Sequence, residues 1–469
     1  MRRHDVLVVG AGPAGSALGT LLAQAGVDVL LVDKARFPRD KVCGDLVSAK
    51  ALAMLDQLGC LDAVVRHGYR PITSASVYLN DAEFSHARLP RVPGHSPHGH
   101  AVPRLVLDEI LFRRAQAVGA ETLEDCRVEG LEIARSGVTV DVRVSGRPER
   151  LAARLVVGAD GAQSVVARAA GLAMEDARYV IPALRTYCRG VPFDEAILYL
   201  DKEFFPGYAW IFPIEGDLAN VGVGMVKESL TRHRLGLKDF FGRLARFVER
   251  WGARLDLPVA LEHTVGWPIK TYGGARRNYF ERGLLVGDAG CFVDPVSGEG
   301  IPLALETARL ASETILEALA RDDCSVASLA AYEHRWRARY DADLKLADLV
   351  VSLARNRHLA EVWIKGFRVM GMTATTDADY AGMLGGIMAG LVPAREGLSV
   401  DVLLKSLAHG PRFWMDVLGF TSDRPWDGFA RLLGSTAQML RDTLDDFEWS
   451  RGWLLEVQGK WLEVLRTRA

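Results

Sequence analysis

The sequence predicts an α/β (α+β) fold in which one open-sheet domain is assembled from separate segments of the chain. Three segments show an apolar strand, a tight glycine turn and a helix in succession, at 5–34, 154–168 and 284–311. Residues 180–272 show mostly strand patterns, and the chain after residue 329 has helical periodicity. Because repeated strand–turn–helix units are typical of α/β sheets, we expect the strand-rich stretch to form a second, inserted sheet.

Three domains follow from this division of the 469 residues, a length that suits several structural units. The predicted domains are a discontinuous open-sheet domain at 1–72, 101–178 and 274–330, a β-sheet domain at 73–100 and 179–273, and a C-terminal helical domain at 331–469. The interleaving of the first two domains predicts that the second sheet lies over the first.

Composition indicates a globular protein without a nucleic-acid partner. The chain is 49% apolar and 25% charged, with a net charge of −2 and a pI near 6.6, whereas nucleic-acid binders carry a basic excess. Its 6 Cys include no CxxC pair, so neither a zinc site nor a disulfide framework is predicted. His95, His98 and His100 have no carboxylate or Cys at ligand spacing, so we expect no metal.

The chain start and the hydropathy predict a cytoplasmic location. Met1-Arg-Arg-His-Asp5 leads directly into a strand, without the apolar region of a signal peptide. We expect no transmembrane helix, because no run of about 18 apolar residues occurs. Peripheral membrane contact stays open.

The first strand–turn–helix unit carries a dinucleotide-binding fingerprint. A buried strand at 5–9 is followed by Gly10-x-Gly12-x-x-Gly15, a helix, and a second strand that ends at Asp33. In such a motif the first glycine makes the turn, the second lets a pyrophosphate approach, and the third lets helix and strand pack. Asp33 is placed to accept hydrogen bonds from ribose hydroxyls.

The third unit predicts a second anion-binding loop. An apolar strand ends at Gly287-Asp288, Pro295 makes a turn, and Gly298 and Gly300 lead into a helix. The N-terminus of that helix presents free backbone N–H groups and the positive end of the helix dipole. We therefore expect an anionic group across this loop.

The motifs together resemble the flavoprotein monooxygenase superfamily that has the p-hydroxybenzoate hydroxylase fold. The resemblance rests on the glycine fingerprint, on Gly158-Ala-Asp160-Gly161 and on Gly287-Asp288. The stretches 37–45, 208–213 and 292–301 are more narrowly similar to the geranylgeranyl reductase branch. The resemblance covers about residues 4–395 and implies a Rossmann-type FAD-binding domain with a β-sheet substrate-binding domain.

The resemblance implies FAD as the cofactor and assigns roles to several motif residues. Asp288 is expected at the ribityl chain, Arg104 and Arg39–Gly44 at the phosphates or flavin edge, and Gly298–Ile301 at the flavin N1/O2 side. Asp160-Gly161 is expected either to contact FAD or to cap the helix that begins at Ser164. The full set expected to bind FAD is Gly10, Gly12, Pro13, Ala14, Gly15, Asp33, Lys34, Arg39, Lys41, Val42, Cys43, Gly44, Arg104, Val128, Asp160, Gly161, Gly287, Asp288, Pro295, Gly298, Gly300 and Ile301.

Candidate pocket residues are Cys43, Tyr208, Trp210 and Phe212, and no catalytic side chain is assigned beyond the flavin itself. Cys43 has two interpretations, direct thiol chemistry or a small residue where backbone meets cofactor. The three aromatic residues either wall a substrate cavity or pack in the core. Cys291 departs from the family pattern, and burial as a small apolar residue is favoured for it.

The sequence predicts an FAD-dependent oxidoreductase that acts on a large lipophilic substrate, a prenyl, polyene or polyketide compound, by reducing or oxygenating a C=C bond. A tailoring role in natural-product biosynthesis is one setting. A non-redox FAD-bound cyclase of polyketide antibiotic biosynthesis is the alternative, and a halogenase is a further one. Because a second GxGxxG unit is missing, NADPH or NADH is expected to visit transiently, or a protein donor supplies electrons. The oligomeric state stays open.

The tail carries an apolar stripe at one helical face, formed by Leu444, Phe447, Leu454, Val457, Trp461 and Leu465. We expect this stripe to pack on the helices of the protein itself. A lid over the substrate, a dimer surface and a membrane-surface helix are the alternatives.

Overall fold

The structure, a computed structural model, describes residues 2–191, 193–254, 258–273, 277–388, 392, 394–399, 402, 404–405 and 446–466. The strands are β1 (Arg3–Val9), β2 (Val29–Val32), β3 (Leu46–Val47), β4 (Pro71–Ile72), β5 (Ser74–Leu79), β6 (Ala82–Arg88), β7 (Gly99–Ala101), β8 (Glu121–Leu123), β9 (Cys126–Ala134), β10 (Gly137–Val144), β11 (Arg147–Gly158), β12 (Val180–Arg189), β13 (Ala196–Leu200), β14 (Tyr208–Glu215), β15 (Leu218–Gly224), β16 (Ala260–Leu261), β17 (Val265–Lys270), β18 (Tyr279–Phe280) and β19 (Gly283–Leu285). The helices are α1 (Pro13–Gln24), α2 (Ala49–Gln57), α3 (Leu61–Val65), α4 (Arg104–Ala117), α5 (Val165–Ala169), α6 (Lys227–Arg232), α7 (Leu237–Arg254), α8 (Ile301–Ala320), α9 (Val326–Ala354), α10 (Ala360–Thr376), α11 (Ala378–Met388) and α12 (Phe447–Arg466).

The first sheet is the predicted open α/β sheet. Its order is β18-β19-β11-β1-β2-β8, and β10 and β9 continue from β11. β1 pairs in parallel with β2 and β11, and β11 pairs in parallel with β19. Because the carboxyl ends of parallel strands share one edge, the segments after them, at Gly10, Asp33, Ala159 and Val286, meet along that edge. The α/β fold class is confirmed.

The second sheet has the order β16-β12-β15-β14-β13-β5-β6, with β17 paired to β12. One of its faces is covered by α7, whose Phe240, Leu244 and Phe247 are buried in the same core cluster as the strands. The opposite face carries Trp210 and Phe212, which share a core cluster with residues of the small sheet β3-β7-β4. This second face therefore meets the first domain.

The helices after residue 300 extend the core of the first domain. α8 packs on α1, and α9 adds Leu329, Tyr332 and Trp336, each 1% exposed or less, to the same cluster. Within the described ranges, no helix has an apolar stretch long enough to cross a bilayer.

α12 lies along α9 through polar contacts, contrary to the prediction for its apolar stripe. Phe447, Leu454, Trp461 and Leu465 are 56%, 58%, 49% and 47% exposed, so the prediction that the stripe packs on the protein's own helices is wrong for these residues. The physical reason is that Glu456 and other charged positions of α12 find opposite charges on the body. Leu444 lies outside the described residues, as do Trp414 and Trp426 of the same tail.

Candidate functional site

The glycine fingerprint forms a tight turn between β1 and α1. Gly10 has a φ of +99°, in the region that favours glycine. A Cβ on Gly15 would lie 1.8 Å from the Gly10 carbonyl oxygen, so α1 approaches the strand more closely than any side chain allows. A Cβ on Gly12 would instead stand 3.6 Å from Arg39 Nη2 and 3.8 Å from Arg104 Nη2. Gly12 thus opens onto a space flanked by two guanidinium groups.

Arg104 and Arg39 share one buried carboxylate. Arg104, 3% exposed, donates to both oxygens of Asp108 at 2.6 and 2.7 Å, and Arg39 Nη1 lies 2.7 Å from Asp108. Burial would raise the pKa of Asp108, but the Arg104 guanidinium holds it below its ordinary value. Arg39 Nη2 also lies 4.0 Å from Asp33 Oδ2, so two carboxylates accompany the two guanidinium groups. The guanidinium N–H groups beside Gly12 are the kind of donor that binds a phosphate group.

Asp33 ends β2 at the same edge. Its carboxylate accepts hydrogen bonds from the Ala11 N–H at 2.8 Å and the Ala35 N–H at 2.9 Å. The carboxylate therefore fixes the glycine turn, and its role at a ribose stays a prediction. The neighbouring Lys34 is exposed, with its Nζ 6.0 Å from the Trp267 ring, and Val128 is buried in the core on β9.

Asp160 and Ser164 cap α5. Asp160 Oδ2 accepts from the Val165 N–H at 2.7 Å, and Ser164 Oγ accepts from the Ala167 N–H at 2.9 Å. The helix-capping interpretation of this motif is therefore present in the structure. Asp160 Oδ1 is buried without a hydrogen-bond partner among the described residues, so one acceptor remains available.

Lys41 connects this motif to the third loop. Its Nζ lies 3.2 Å from Asp288 Oδ2 and would be 3.8 Å from a Cβ on Gly161. Asp288 sits in the 3₁₀ turn Gly287–Gly290, which Thr307 holds by accepting the Gly287 N–H at 3.1 Å. Lys41, Gly161 and Asp288 come from three distant segments and converge at one place, as the sequence predicted for a single site.

The N-terminus of α8 opens onto the same loop. Gly300 is its N-cap and offers no side chain to cap it, and Ile301 and Pro302 begin its first turn. Gly298 has a φ of +68°, and a Cβ there would lie 2.7 Å from the Tyr208 hydroxyl. This 20-residue helix therefore directs uncapped N–H groups and its positive dipole end at the loop. Pro295 is buried in the turn before it.

Glu299 adds a partly buried acid between these glycines. Burial raises the pKa of Glu299 to about 7, and its Oε1 has no hydrogen-bond partner in the described part of the chain. Ser48 and Lys50 face it from the segment around α2. This carboxyl was absent from the sequence prediction.

The predicted pocket residues meet at Gly44. A Cβ on Gly44 would lie 3.3 Å from Phe212 Cε2 and 3.3 Å from Trp210 Nε1. Trp210 and Phe212 are 7% and 9% exposed, and the Tyr208 hydroxyl donates to the Ser297 carbonyl oxygen. The aromatic wall of the second sheet therefore contacts the 37–45 loop of the first domain, with Val42 and Cys43 partly buried beside it.

The two cysteines of the site differ in environment. Burial raises the pKa of the Cys43 thiol, although the adjacent Arg104 guanidinium favours its thiolate, so the neutral thiol is the favoured form. Cys291 is 3% exposed and packs with Met174 and Tyr179, and burial raises its pKa to about 12. Burial as a small apolar residue is the arrangement that the structure shows for Cys291.

A buried polar network beside the pocket was missed from the sequence. Asp45 Oδ2 accepts from Tyr187 Oη at 2.8 Å and from Asn220 Nδ2 at 2.7 Å. Asn220 also donates to the Cys43 carbonyl oxygen at 2.8 Å and accepts from Trp210 Nε1 at 2.8 Å. The only sequence signal was one Asn within an apolar strand and one Asp directly after Cys43-Gly44.

A cavity of 730 Å³ lies on the far side of the second sheet, against α7. Residues of both charges line it, including Arg243, Arg246, Arg250, Asp81 and Asp201. None of the glycine loops or pocket candidates lines it, so it is separate from the site.

Comparison with known proteins decides the family. The FAD binding domain family matches residues 3–345. The chain belongs to this FAD-binding family. It is 32% identical over 376 residues to digeranylgeranylglycerophospholipid reductase 1 of Methanopyrus kandleri, which covers 76% of this chain and 92% of that protein. The resemblance to the geranylgeranyl reductase branch, which was predicted from the sequence motifs, is confirmed, and the chain is an FAD-dependent oxidoreductase.

One further relative and one solved structure are similar to the chain. Menaquinone reductase of Mycobacterium tuberculosis is 33% identical over 322 residues, covering 66% of this chain and 76% of that protein. The crystal structure of a geranylgeranyl bacteriochlorophyll reductase-like protein from Thermoplasma acidophilum has a TM-score of 0.68 at 23% identity, covering 89% of this chain and 99% of that one. The likeness to this solved structure concerns the fold.

The comparisons confirm FAD as the cofactor, and the residues of the site fit it. The space at Gly12 between Arg39 and Arg104 suits the diphosphate. The uncapped start of α8 suits the pyrimidine edge of the flavin, where negative charge develops on reduction. The individual contacts, including Asp33 to ribose and Asp288 to the ribityl chain, stay predictions.

Proposed function

We propose that this oxidoreductase saturates a C=C bond in the prenyl chain of a large lipophilic molecule. The observation that carries the proposal is the aromatic wall of Tyr208, Trp210 and Phe212, which contacts the Cys43-Gly44 turn beside the FAD loops. Such a wall suits an apolar substrate held against the cofactor. Support also comes from the relatives, whose names describe reductases of digeranylgeranylglycerophospholipid and of menaquinone.

The chain's own residues have separable tasks in this reaction. Arg39 and Arg104 hold the cofactor's phosphates, and the N-terminus of α8 stabilises an anionic group at its end by roughly 0.3–2 kcal/mol. Trp210 and Phe212 exclude water and orient the prenyl chain. FAD, once reduced, supplies the hydride. Cys43 contributes a small neutral side chain where the substrate meets the cofactor.

The electrons have an external source in this proposal. The sequence has one GxGxxG unit, at Gly10–Gly15. Because FAD occupies this unit in the proposal, the sequence has no second unit of this type for a stably bound nicotinamide cofactor. NADPH or NADH therefore visits the flavin transiently, or a protein donor reduces it. A lipophilic substrate is supplied from a bilayer, so transient peripheral membrane contact belongs to the same proposal.

The test uses the purified FAD-loaded protein under anaerobic conditions. The flavin is reduced with NADPH, NADH or dithionite, and a menaquinone with an unsaturated prenyl chain or digeranylgeranylglycerophospholipid is added. We expect the flavin to reoxidise without oxygen while the prenyl chain of the lipid gains two hydrogen atoms for each flavin oxidised. Any quinol formed by reduction of the menaquinone ring is returned to the quinone in air before the product mass is measured, so that only hydrogen atoms on the prenyl chain are counted. Mass spectrometry and flavin absorbance measure the two quantities together.

Other reaction types give different products. A product that gains an oxygen atom identifies a monooxygenase, one that gains a halogen atom identifies a halogenase, and one that closes a ring at unchanged mass without flavin reoxidation identifies a cyclase. Each of these results, or unchanged lipids of both kinds, contradicts the proposal. Gly12→Ala is the negative control, because its methyl group occupies the space beside Arg39 and Arg104.

A further inference from the structure

Asp45 is a buried carboxyl with one bonded and one unbonded oxygen. The residue is fully buried, and its Oδ2 accepts from Tyr187 on β12 and Asn220 on β15. Its Oδ1 has no hydrogen-bond partner among the described residues. A buried polar atom without a partner costs about 1–3 kcal/mol, so such an atom calls for a function or a ligand.

The two oxygens differ in what they can do. Because Oδ2 already accepts from two donors, a proton on this carboxyl resides on Oδ1. Removal of that proton leaves a carboxylate whose negative charge Tyr187 and Asn220 stabilise through Oδ2. The side chain can therefore release a proton from one oxygen while its other oxygen stays fixed.

The charges around Asp45 allow both protonation states near neutral pH. Burial raises its pKa to about 6, against the opposing effects of Arg185, Tyr187, Asn220 and Arg104. Cys43 and Tyr69 are further titratable neighbours of Asp45 among the described residues. Such a value suits an acid that gives and regains a proton during turnover.

Its position places this acid at the pocket. Asp45 directly follows the Cys43-Gly44 turn, and Asn220 connects it to the Cys43 carbonyl and to the Trp210 indole. Its backbone carbonyl accepts from the Val102 N–H at 2.8 Å, which anchors it next to α4 and Arg104. The φ of +62° lies in the left-handed region, which Asp adopts more often than most other residues with a side chain.

We propose that Asp45 is the proton donor in the reduction of the substrate C=C bond, an inference that rests on the proposed function. The hydride that reduced FAD would supply leaves a flavin N–H bond and forms a C–H bond at one alkene carbon, while the π bond of the alkene breaks. The O–H bond at Asp45 Oδ1 breaks, and its proton forms the C–H bond at the other carbon. The flavin loses two electrons, the alkene gains two, and the Asp45 carboxylate regains its proton from solvent.

The first test measures the proton itself, without substrate. In infrared difference spectra of the FAD-loaded protein taken below and above pH 6, we expect the carbonyl band of a protonated carboxyl that titrates between the two. The spectra are taken in the Glu299→Gln background, because the raised pKa of Glu299, about 7, would give a band that titrates in the same range. In this background Asp45→Asn removes the band, and Asn is the substitution that best tolerates a positive φ. Asp322→Asn is the matched control, with a φ of +51° and a side chain 91% exposed, and keeps the band.

The second test measures anaerobic flavin reoxidation by digeranylgeranylglycerophospholipid, which has no quinone ring to accept the electrons. Asp45→Asn is expected to slow it roughly 100- to 10,000-fold, while FAD affinity and reoxidation by oxygen stay unchanged. The wild-type rate falls as pH rises through about 6, because the donor must be protonated. Tyr187→Phe removes a donor that favours the carboxylate, so the fall moves to higher pH, a shift that a purely structural role does not produce.

Opposite outcomes overturn the proposal and are separable from failure of the proposed function. A wild type that saturates the lipid, with an Asp45→Asn variant that keeps its rate and pH profile, overturns the proton donor alone. The proton donor is also overturned if Cys43→Ser or Glu299→Gln abolishes the pH dependence of the rate while Asp45→Asn keeps it. If the wild type saturates no lipid, the proposed function fails, and a carbonyl band that is absent or that persists in Asp45→Asn still contradicts the role of Asp45.

Discussion

Glu456 is expected to hold α12 on the body of the protein. Its carboxylate lies 2.5 Å from Arg355 Nη2, 3.0 Å from Lys460 Nζ and 3.1 Å from Arg178 Nη1. The side chain is 13% exposed, so these contacts are only weakly screened by water. Glu456→Gln keeps the shape of the side chain and removes the charge that the three cations share.

The magnitude follows from the pKa. Burial alone would raise it, but Arg355 and Lys460 lower the pKa of Glu456 from 4.5 to about 2. Because each pKa unit corresponds to about 1.4 kcal/mol, the charge contributes about 3 kcal/mol. This contribution is present above pH 4.5 and is lost as pH falls through 2. Near neutral pH the variant should therefore release α12 about 100-fold more often.

Hydrogen exchange of the amides at 447–466 measures this release. Glu448→Gln is the matched control, because it removes the same charge at an exposed position on the same helix and should change the free energy by about 0.5 kcal/mol or less. The reasoning is refuted if Glu456→Gln exchanges as slowly as Glu448→Gln near neutral pH. It is also refuted if the difference between them does not shrink in strong acid.

Three further predictions concern the FAD site. Gly12→Ala should fold normally but lose FAD, which flavin absorbance measures. Gly15→Ala should unfold at a lower temperature in a thermal melt, because its Cβ would lie 1.8 Å from a carbonyl oxygen. Lys41→Met should weaken FAD binding about 5-fold, since it removes a cation that is 25% exposed beside Asp288 and is worth about 1 kcal/mol; equal affinities in fluorescence titration would contradict this. Because the pKa of Asp45 is raised from 3.8 to about 6, its protonated form stabilises the folded protein at low pH, and this contribution is lost as pH rises through about 6. Asp45→Asn should therefore reduce the fall in unfolding free energy over that range by about 3 kcal/mol. Urea denaturation at each pH measures the difference.

Local patterns predicted most of the fold and the FAD loops. Gly10–Gly15 and Asp33 lie within one strand–helix–strand unit, so their meeting depends on short-range geometry alone. Lys41 and Asp288 were predicted at the FAD site from the resemblance to the flavoprotein family, and the structure brings their side chains within 3.2 Å of each other.

The polar network and the tail depended on long-range geometry. Tyr187 and Asn220 face each other only because β12 and β15 pair in that register, and both then reach Asp45 in another domain. The sequence periodicity predicted the helix α12 and the apolar stripe along one of its faces. It could not indicate that the ion pairs of Glu456 would orient the stripe outward.

The bond from Trp210 to Asn220 bears on attempts to redesign the pocket for a different lipid. Replacing Trp210 with a smaller residue would enlarge the cavity but leave the Asn220 carbonyl oxygen buried without its donor at 2.8 Å, which costs about 1–3 kcal/mol. It would also loosen the amide that holds the Cys43 carbonyl. Phe212 has no polar atom in its side chain and belongs to the same wall, so a substitution there changes the packing against Gly44 but leaves every hydrogen bond of Asn220 in place.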